Sequence, residues 1–229
     1  MQSVGAGGAV MGRAPAQGLD RPPEAAGAAP GAGAESPTKP IKVPRLNNWK
    51  PAMVARDVFS AAECDRIIAS CGDAKPGRLL GQEQEEDQKY RNCDVVWLEM
   101  DAPANRWIYQ RTLDVVQQAN NSTYKLDIIG FTERLQVLTY HTGGYIDWHI
   151  DIGPAGQSLR KLSYVIQLTD PADYEGGAFE IFAFYNAEAL PKTRGSMILF
   201  PSYLLHRVAA VTAGARRSVV GWVGGPPYR

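Results

Sequence analysis

Residues 124–151 read YKLDIIGFTERLQVLTYHTGGYIDWHID, and the reading of this stretch decides the fold. Its β-branched and aromatic residues fall in short runs punctuated by Asp and Gly. The same texture continues to the C-terminus. Leu126–Phe131, Arg134–Tyr140, Tyr145–Ile150, Lys161–Thr169, Ala178–Phe184, Ser196–Phe200, Arg207–Val211 and Ser218–Val223 each read as strands, with Gly, Pro, Asn and Asp in the gaps. Eight short strands separated by turns predict a sandwich or barrel, of which the jelly roll is the eight-strand form.

Upstream the pattern changes. Ser60-Ala61-Ala62-Glu63 has the spacing of a capping box, so a helix is expected from Ser60 to about Gly72, carrying Cys64 and Cys71. Residues 103–120 predict a second helix, with Ile108, Thr112, Val115 and Ala119 on one face and a stop at Asn120-Asn121, where left-handed backbone is tolerated. Val95–Leu98 reads as a short strand, and the polar segment 73–92 as a surface loop, with a lid as the alternative. Helices ahead of an all-β unit make the chain α+β, with a jelly-roll core over 124–229 and helical support over 44–123. Residues 1–43 are rich in Ala, Gly and Pro and poor in large apolar side chains, so they are expected to form a disordered tail.

Composition narrows the partners. Basic and acidic residues balance at 24 each, which speaks against a nucleic-acid or membrane-surface footprint. No apolar run reaches the roughly 20 residues of a membrane-spanning helix. Arg13 and Arg21 in an acid-poor leader leave organellar targeting open beside a plain tail, and Met11 is an alternative start. The three cysteines lack metal-site spacing and fit packing residues in a reducing, cytoplasmic setting.

Three histidines occur: His141, His149 and His206. In His149-Ile150-Asp151 the first and third residues share one face of a strand, so both side chains can enter the same barrel. His206, 57 residues after His149, can return to that pair in a jelly roll. Two imidazoles and one carboxylate fill one face of an octahedral metal and leave three positions open, a set suited to Fe(II) oxygenases. The helical His-Glu-x-x-His motif of many zinc hydrolases is absent. Ten residues beyond His206, Arg216 and Ser218 share a strand face while Arg217 points the other way. A guanidinium inside a barrel needs an anion, and the distal carboxylate of an iron-chelating oxo-diacid would supply one. The alternative is that Arg217 points inward and Arg216 faces solvent.

With these residues in view, the sequence resembles the 2-oxoglutarate- and Fe(II)-dependent dioxygenases of the prolyl 4-hydroxylase type. LQVLTYHTGGYIDWHID (135–151), RKLSYVIQLTDPADYEGGAFEI (160–181) and GSMILFPSYLLHRVAAVTAGARRSVVGWVGGP (195–226) carry the resemblance. It implies Fe(II) ligation by His149, Asp151 and His206. It further implies a 2-oxoglutarate site on Arg216 and Ser218, joined by Tyr140, with Tyr145 as the nearby alternative and Gln167 as another contact. The implied activity is hydroxylation of an unactivated C–H bond with dioxygen and 2-oxoglutarate, giving succinate and CO2, with L-ascorbate keeping the iron ferrous. Glu175-Gly176-Gly177 is a structural turn in this reading, and Trp148 and Trp222 are core residues.

The leading expectation for the substrate is a prolyl residue in a protein or peptide. A free amino acid or other small metabolite is the rival, with Arg160 or Lys161 as a second anchor if either leaves the surface. The rival of another class is a catalytically inactive binding or sensing module. Every ligand position is present, which favours an enzyme.

Overall fold

The structure, a computed structural model, describes residues 49–72, 75–76 and 90–227. The expected tail over 1–43 and most of the loop over 73–92 lie outside the described residues. In chain order the elements are β1 (Met53–Ala55), α1 (Ala61–Ala69), β2 (Lys75–Pro76), β3 (Arg91–Asn92), β4 (Asp94–Leu98), α2 (Arg106–Ala119), β5 (Gly130–Phe131) and β6 (Leu135–Tyr140). There follow β7 (Tyr145–His149), β8 (Arg160–Gln167), β9 (Tyr174–Gly176), β10 (Phe179–Ala183), β11 (Asn186–Ala189), β12 (Met197–Pro201), β13 (His206–Val208), β14 (Val211–Gly214) and β15 (Arg216–Gly224).

The strands form two antiparallel sheets and a small ribbon. The major sheet runs β1-β12-β8-β15-β6-β4-β2, with β5 also on β15; the minor sheet runs β11-β10-β13-β7-β3; β14 pairs with β9. Every residue of β8 and β12 is buried, because the major sheet is covered on both faces. Side chains alternate across it. Leu162, Tyr164 and Ile166 of β8 pack under the helices with Cys64, Ile67, Ile108 and Val116. Val165 of β8, Leu138 and Tyr140 of β6 and Phe200 of β12 face the minor sheet, against Phe179 and Ile181 of β10. The helices thus occupy one face, and the gap between the sheets is the second core. The class is α+β, with a β core, as the sequence predicts.

Ser60 caps α1 as its spacing requires: its hydroxyl accepts from the Glu63 N–H at 3.3 Å, and Glu63 accepts from the Ser60 N–H at 2.9 Å. The helix stops at Ala69, so Cys71 lies beyond it rather than within it. The buried face of α2 carries Val116 rather than Val115. Tyr109 fixes α2 to the sheet, donating to the Leu98 carbonyl at 2.6 Å and accepting from the Leu135 N–H at 2.9 Å.

Several expectations are corrected. The chain does not turn left-handed at Asn120-Asn121; it continues through a π-helical turn over Asn120–Tyr124 and reverses at Lys125, φ 55°. The buried Asn120 amide donates to the Leu126 carbonyl and accepts from the Leu126 N–H, both at 2.9 Å. These bonds take the backbone groups that a strand from Leu126 would offer to a neighbour, and only Gly130–Phe131 remains extended and paired. The strand expected over Arg207–Val211 is two short strands serving different sheets, β13 and β14, because Ala209 and Ala210 turn to bond Ala178 and Gly177. Segment 44–123 is more than helical support, since β1 and β4 extend the major sheet and β3 the minor one. Among the described residues, no helix is long and apolar enough to cross a membrane.

Gly195, in the turn before β12, takes φ +76° and accepts from the N–H groups of Val58 and Phe59 at 3.0 and 3.1 Å. A Cβ there would stand 1.9 Å from the Phe59 carbonyl oxygen, a backbone atom that cannot rotate away. Gly195→Ala is therefore expected to cost about 2–3 kcal/mol of stability, read as a lowered urea midpoint; an unchanged midpoint would show that the turn yields freely.

Candidate metal and co-substrate site

The minor sheet places the two histidines. In the β7–β13 pairing His149 stands opposite His206, with ring centroids 4.1 Å apart. The next pair is Ile146 with Val208, so β7 carries one extra residue between the pairs, a bulge. Strict alternation would send Ile146 and His149 to opposite faces. The bulge lets Ile146 pack in the inter-sheet core while His149 also faces the gap.

Asp151 completes the set by a different route from the one expected. β7 ends at His149, so the pair does not share a strand face; Asp151 lies in the following loop, turned inward by its N–H bond to the Ser202 carbonyl at 2.9 Å. Its two carboxylate oxygens approach His149 Nε2 at 3.8 Å and His206 Nε2 at 3.5 Å. The three donor atoms lie within 4.8 Å of one another. Each imidazole Nδ1 sits 2.8 Å from a backbone carbonyl, that of Asp147 for His149 and that of Leu204 for His206. Nδ1 therefore carries the proton in each ring, and Nε2 is left to turn its lone pair toward Asp151. Burial, then the neighbouring His206, lower the His149 pKa to about 4, so this ring is neutral at pH 7. Burial opposes the charge on Asp151, but the two imidazoles and hydrogen bonds from Ser163 and Trp222 hold its carboxyl below the usual range. A neutral imidazole at His149 and an ionised carboxylate at Asp151 are forms that bind a metal.

The third histidine takes no part: His141 is exposed and lies 3.1 Å from Asp94.

The major sheet supplies the anion anchor. Arg216, only 1% exposed, opens β15 opposite Tyr140 of β6, with its guanidinium 5.3 Å from the Tyr140 ring centroid. Nη2 donates to Gln167 Oε1 at 3.0 Å and Nη1 to Ser218 Oγ at 3.4 Å, both neutral partners. Its Nε is buried without a hydrogen-bond partner, and among the described residues Arg216 forms no ion pair. A buried cation with an orphaned donor fits an anion arriving from the cavity. Gly177 is part of this pocket: at φ +58°, a Cβ would meet Arg216 Cδ at 3.1 Å. Its bareness makes room for the arginine stem, a role that the sequence reading as a simple turn did not contain.

Metal ligands and anchor open into one cavity of about 830 Å³ between the sheets, lined by His149, Asp151, His206, Arg216, Ser218 and Tyr140. Tyr145 is half-buried on β7 and does not line it, whereas Tyr140 does, beside Arg216. Trp148 and Trp222, read from sequence as core, also form its wall, together with Trp97. Each indole is backed by a guanidinium that a glutamate neutralises: Arg134 and Glu99 at Trp97, Arg207 and Glu180 at Trp148, Arg160 and Glu133 at Trp222. Arg160 and Lys161 are buried rather than on the surface. Nothing in the local sequence marks these partners, several of which come from segments far apart in the chain.

The comparisons with known proteins agree with this geometry. The family profile described as "2OG-Fe(II) oxygenase superfamily" matches residues 135–224. A PKHD-type hydroxylase of Synechococcus sp. (strain CC9311) is 38% identical over 85 residues, covering 37% of this chain and 38% of that protein. A PKHD-type hydroxylase of Rippkaea orientalis is 31% identical over 132 residues, covering 55% of this chain and 59% of that protein. The chain thus spans less than two thirds of the length of these curated relatives. Among solved structures, a Pseudomonas putida prolyl-4-hydroxylase superposes with a TM-score of 0.58 at 21% identity, covering 77% of this chain and 93% of that one. A Trichoplax adhaerens prolyl hydroxylase in complex with a hypoxia inducible factor peptide fragment gives a TM-score of 0.61 at 16% identity, covering 76% and 83%. At such identities the likeness shows a shared fold. Residues 135–224, which hold the three clustered donors and the buried arginine, are the part that matches the 2OG-Fe(II) oxygenase superfamily profile, and the fold around them is like that of the prolyl hydroxylases.

Proposed function

We propose that this chain is an Fe(II)- and 2-oxoglutarate-dependent dioxygenase hydroxylating an unactivated C–H bond of a prolyl residue in a protein or peptide, with succinate and CO2 as co-products. One observation carries the reading: a single cavity holds two imidazoles and a carboxylate at ligating distances and, on the facing sheet, a buried guanidinium with an unmet donor. The relatives named as hydroxylases and the neighbours named as prolyl hydroxylases support the same class.

In this mechanism His149, Asp151 and His206 would hold the ferrous ion, and Asp151 would neutralise one of its charges. Arg216, with Ser218 and Tyr140, would bind the distal carboxylate of 2-oxoglutarate across the gap, which fixes the direction in which the keto-acid end points. When bound, ferrous iron supplies the redox chemistry that couples decarboxylation of 2-oxoglutarate to hydroxylation by dioxygen, and ascorbate would keep it reduced. The apolar inter-sheet wall keeps bulk water from the reacting groups. Trp97, 42% exposed, and the half-buried Trp148 offer flat apolar faces near the entrance, suited to an extended chain with a pyrrolidine ring. The free Cys64, Cys71 and Cys93, whose thiol pKa values burial pushes up, suit the reducing, cytoplasmic setting proposed for it.

A second reading, hydroxylation of a free amino acid or small carboxylate, has one observation in its favour: Arg91, buried, is a further guanidinium lining the same cavity. The sequence-level candidates for that anchor, Arg160 and Lys161, do not favour it, since Arg160 is clasped by Glu133 and Lys161 does not line the cavity.

Anaerobic loading with Fe(II) and 2-oxoglutarate, followed by oxygen and succinate assay, tests the proposal. His149→Ala and His206→Ala are expected to abolish succinate production; full turnover in either would refute the assignment. Arg216→Ala is expected to raise the 2-oxoglutarate KM about 10- to 100-fold, the scale of a charged hydrogen-bonded pair, with a smaller change in kcat. Proline-containing peptides are expected to raise succinate output more than free proline does; the reverse order would favour the small-molecule reading.

A further inference from the structure

The ligands are not held alike. His149 and His206 sit on paired strands, whereas Asp151 lies in a loop that runs on into a 3-10 turn over Ala155–Leu159. Ala155 opens that turn at φ 52°, an unfavourable backbone conformation for a residue with a Cβ, which persists only where surroundings enforce it. What closes the loop is Arg160, the first residue of β8. Its Nη1 donates to the Asp151 backbone carbonyl at 2.9 Å, across nine residues of chain. Its Nε and Nη2 grip both oxygens of Glu133, each at 2.6 Å, a two-pronged salt bridge of fixed direction. Its Cζ lies 3.8 Å from the Trp222 ring centroid, and Trp222 lines the same cavity as Asp151. The guanidinium is buried, 6% exposed, which is costly unless every arm is used.

We infer that Arg160, clasped by Glu133 and stacked on Trp222, is the positioning residue for Asp151. It holds the backbone of the one ligand no strand fixes, and so sets metal affinity without touching the metal. This rests on reading His149, Asp151 and His206 as a metal site. A salt bridge that merely ties β8 to the 132–134 segment would support stability alone. The positioning role makes a separate demand: metal affinity must fall even where the fold is kept. Lysine cannot replace this arginine, because it has neither the planar fork nor the stacking face.

Cobalt(II), whose visible absorption reports its ligand geometry, is titrated into the metal-free protein while thermal midpoints are recorded without metal. Arg160→Lys and Glu133→Gln are expected to weaken Co(II) binding about 10- to 100-fold, the range for residues that orient a metal ligand, and to shift the absorption bands. Arg111→Gln removes a salt bridge to Glu63 on the helical side; it is expected to lower the midpoint and leave Co(II) affinity within about twofold. Wild-type affinity and bands in both Arg160→Lys and Glu133→Gln would overturn the inference. Should Arg160→Lys fail to fold, Glu133→Gln decides alone by the same measure. If the wild-type chain takes up no Co(II), the metal-site reading falls and the inference with it; uptake that ignores both substitutions sinks the inference only.

Discussion

Strand β8 is buried along its whole length, and the rest of the architecture follows from that constraint. An eight-residue strand with no solvent-facing side chain needs a cover on each face of its sheet. The helices provide one, through Ile67, Ile108 and Val116, and the minor sheet provides the other, through Phe179 and Ile181. The first interface closes completely. The second leaves a cavity, lined by core residues such as Val165, Phe179 and Val208 as well as by His149, Asp151, His206 and Arg216.

The chemistry of the site depends on its having two walls. The imidazoles belong to the minor sheet and Arg216 to the major one. A dicarboxylate chelating a metal on one wall would therefore meet a cation on the other, as proposed for 2-oxoglutarate. The walls also differ in how they fix their side chains. Arg216 is set by strand register, opposite Tyr140 and beside Ser218 and Gln167. Asp151 has no register and is held by tethers to Ser202 and Arg160. Residues that could drift are held by hydrogen bonds, and residues on strands by the ladder.

Much of this is legible in the primary structure, for particular reasons. The capping box at Ser60 works through neighbours three apart, so it can be read locally. The period-two rule puts Arg216 and Ser218 on one face and Arg217 on the other, as β15 has them. That rule failed at His149 and Asp151, where the strand ends between them and a loop does the aiming. It was also blind to the bulge in β7, which admits Ile146 and His149 to one face. At Asn120 the error had another source: a side-chain amide can stand in for a strand partner, and propensity alone cannot show which of its uses an asparagine adopts.

The sequence by itself determined the layer types, the cap of the first helix, the three side chains that cluster in the cavity and the buried arginine on the facing sheet. Each shows in residue chemistry and in local patterning along the chain. Only the tertiary structure decided that Trp97, Trp148 and Trp222 wall the cavity, that Gly177 must lack a side chain beside Arg216, and that Arg160 holds the Asp151 loop. Beyond the nine-residue tether from Arg160 to Asp151, these facts join residues tens of positions apart, such as Glu133 with Arg160 and Gly177 with Arg216. The physical reason is that burial and hydrogen bonding act between groups close in space, and strand order in the two sheets, not order in the chain, sets which groups those are.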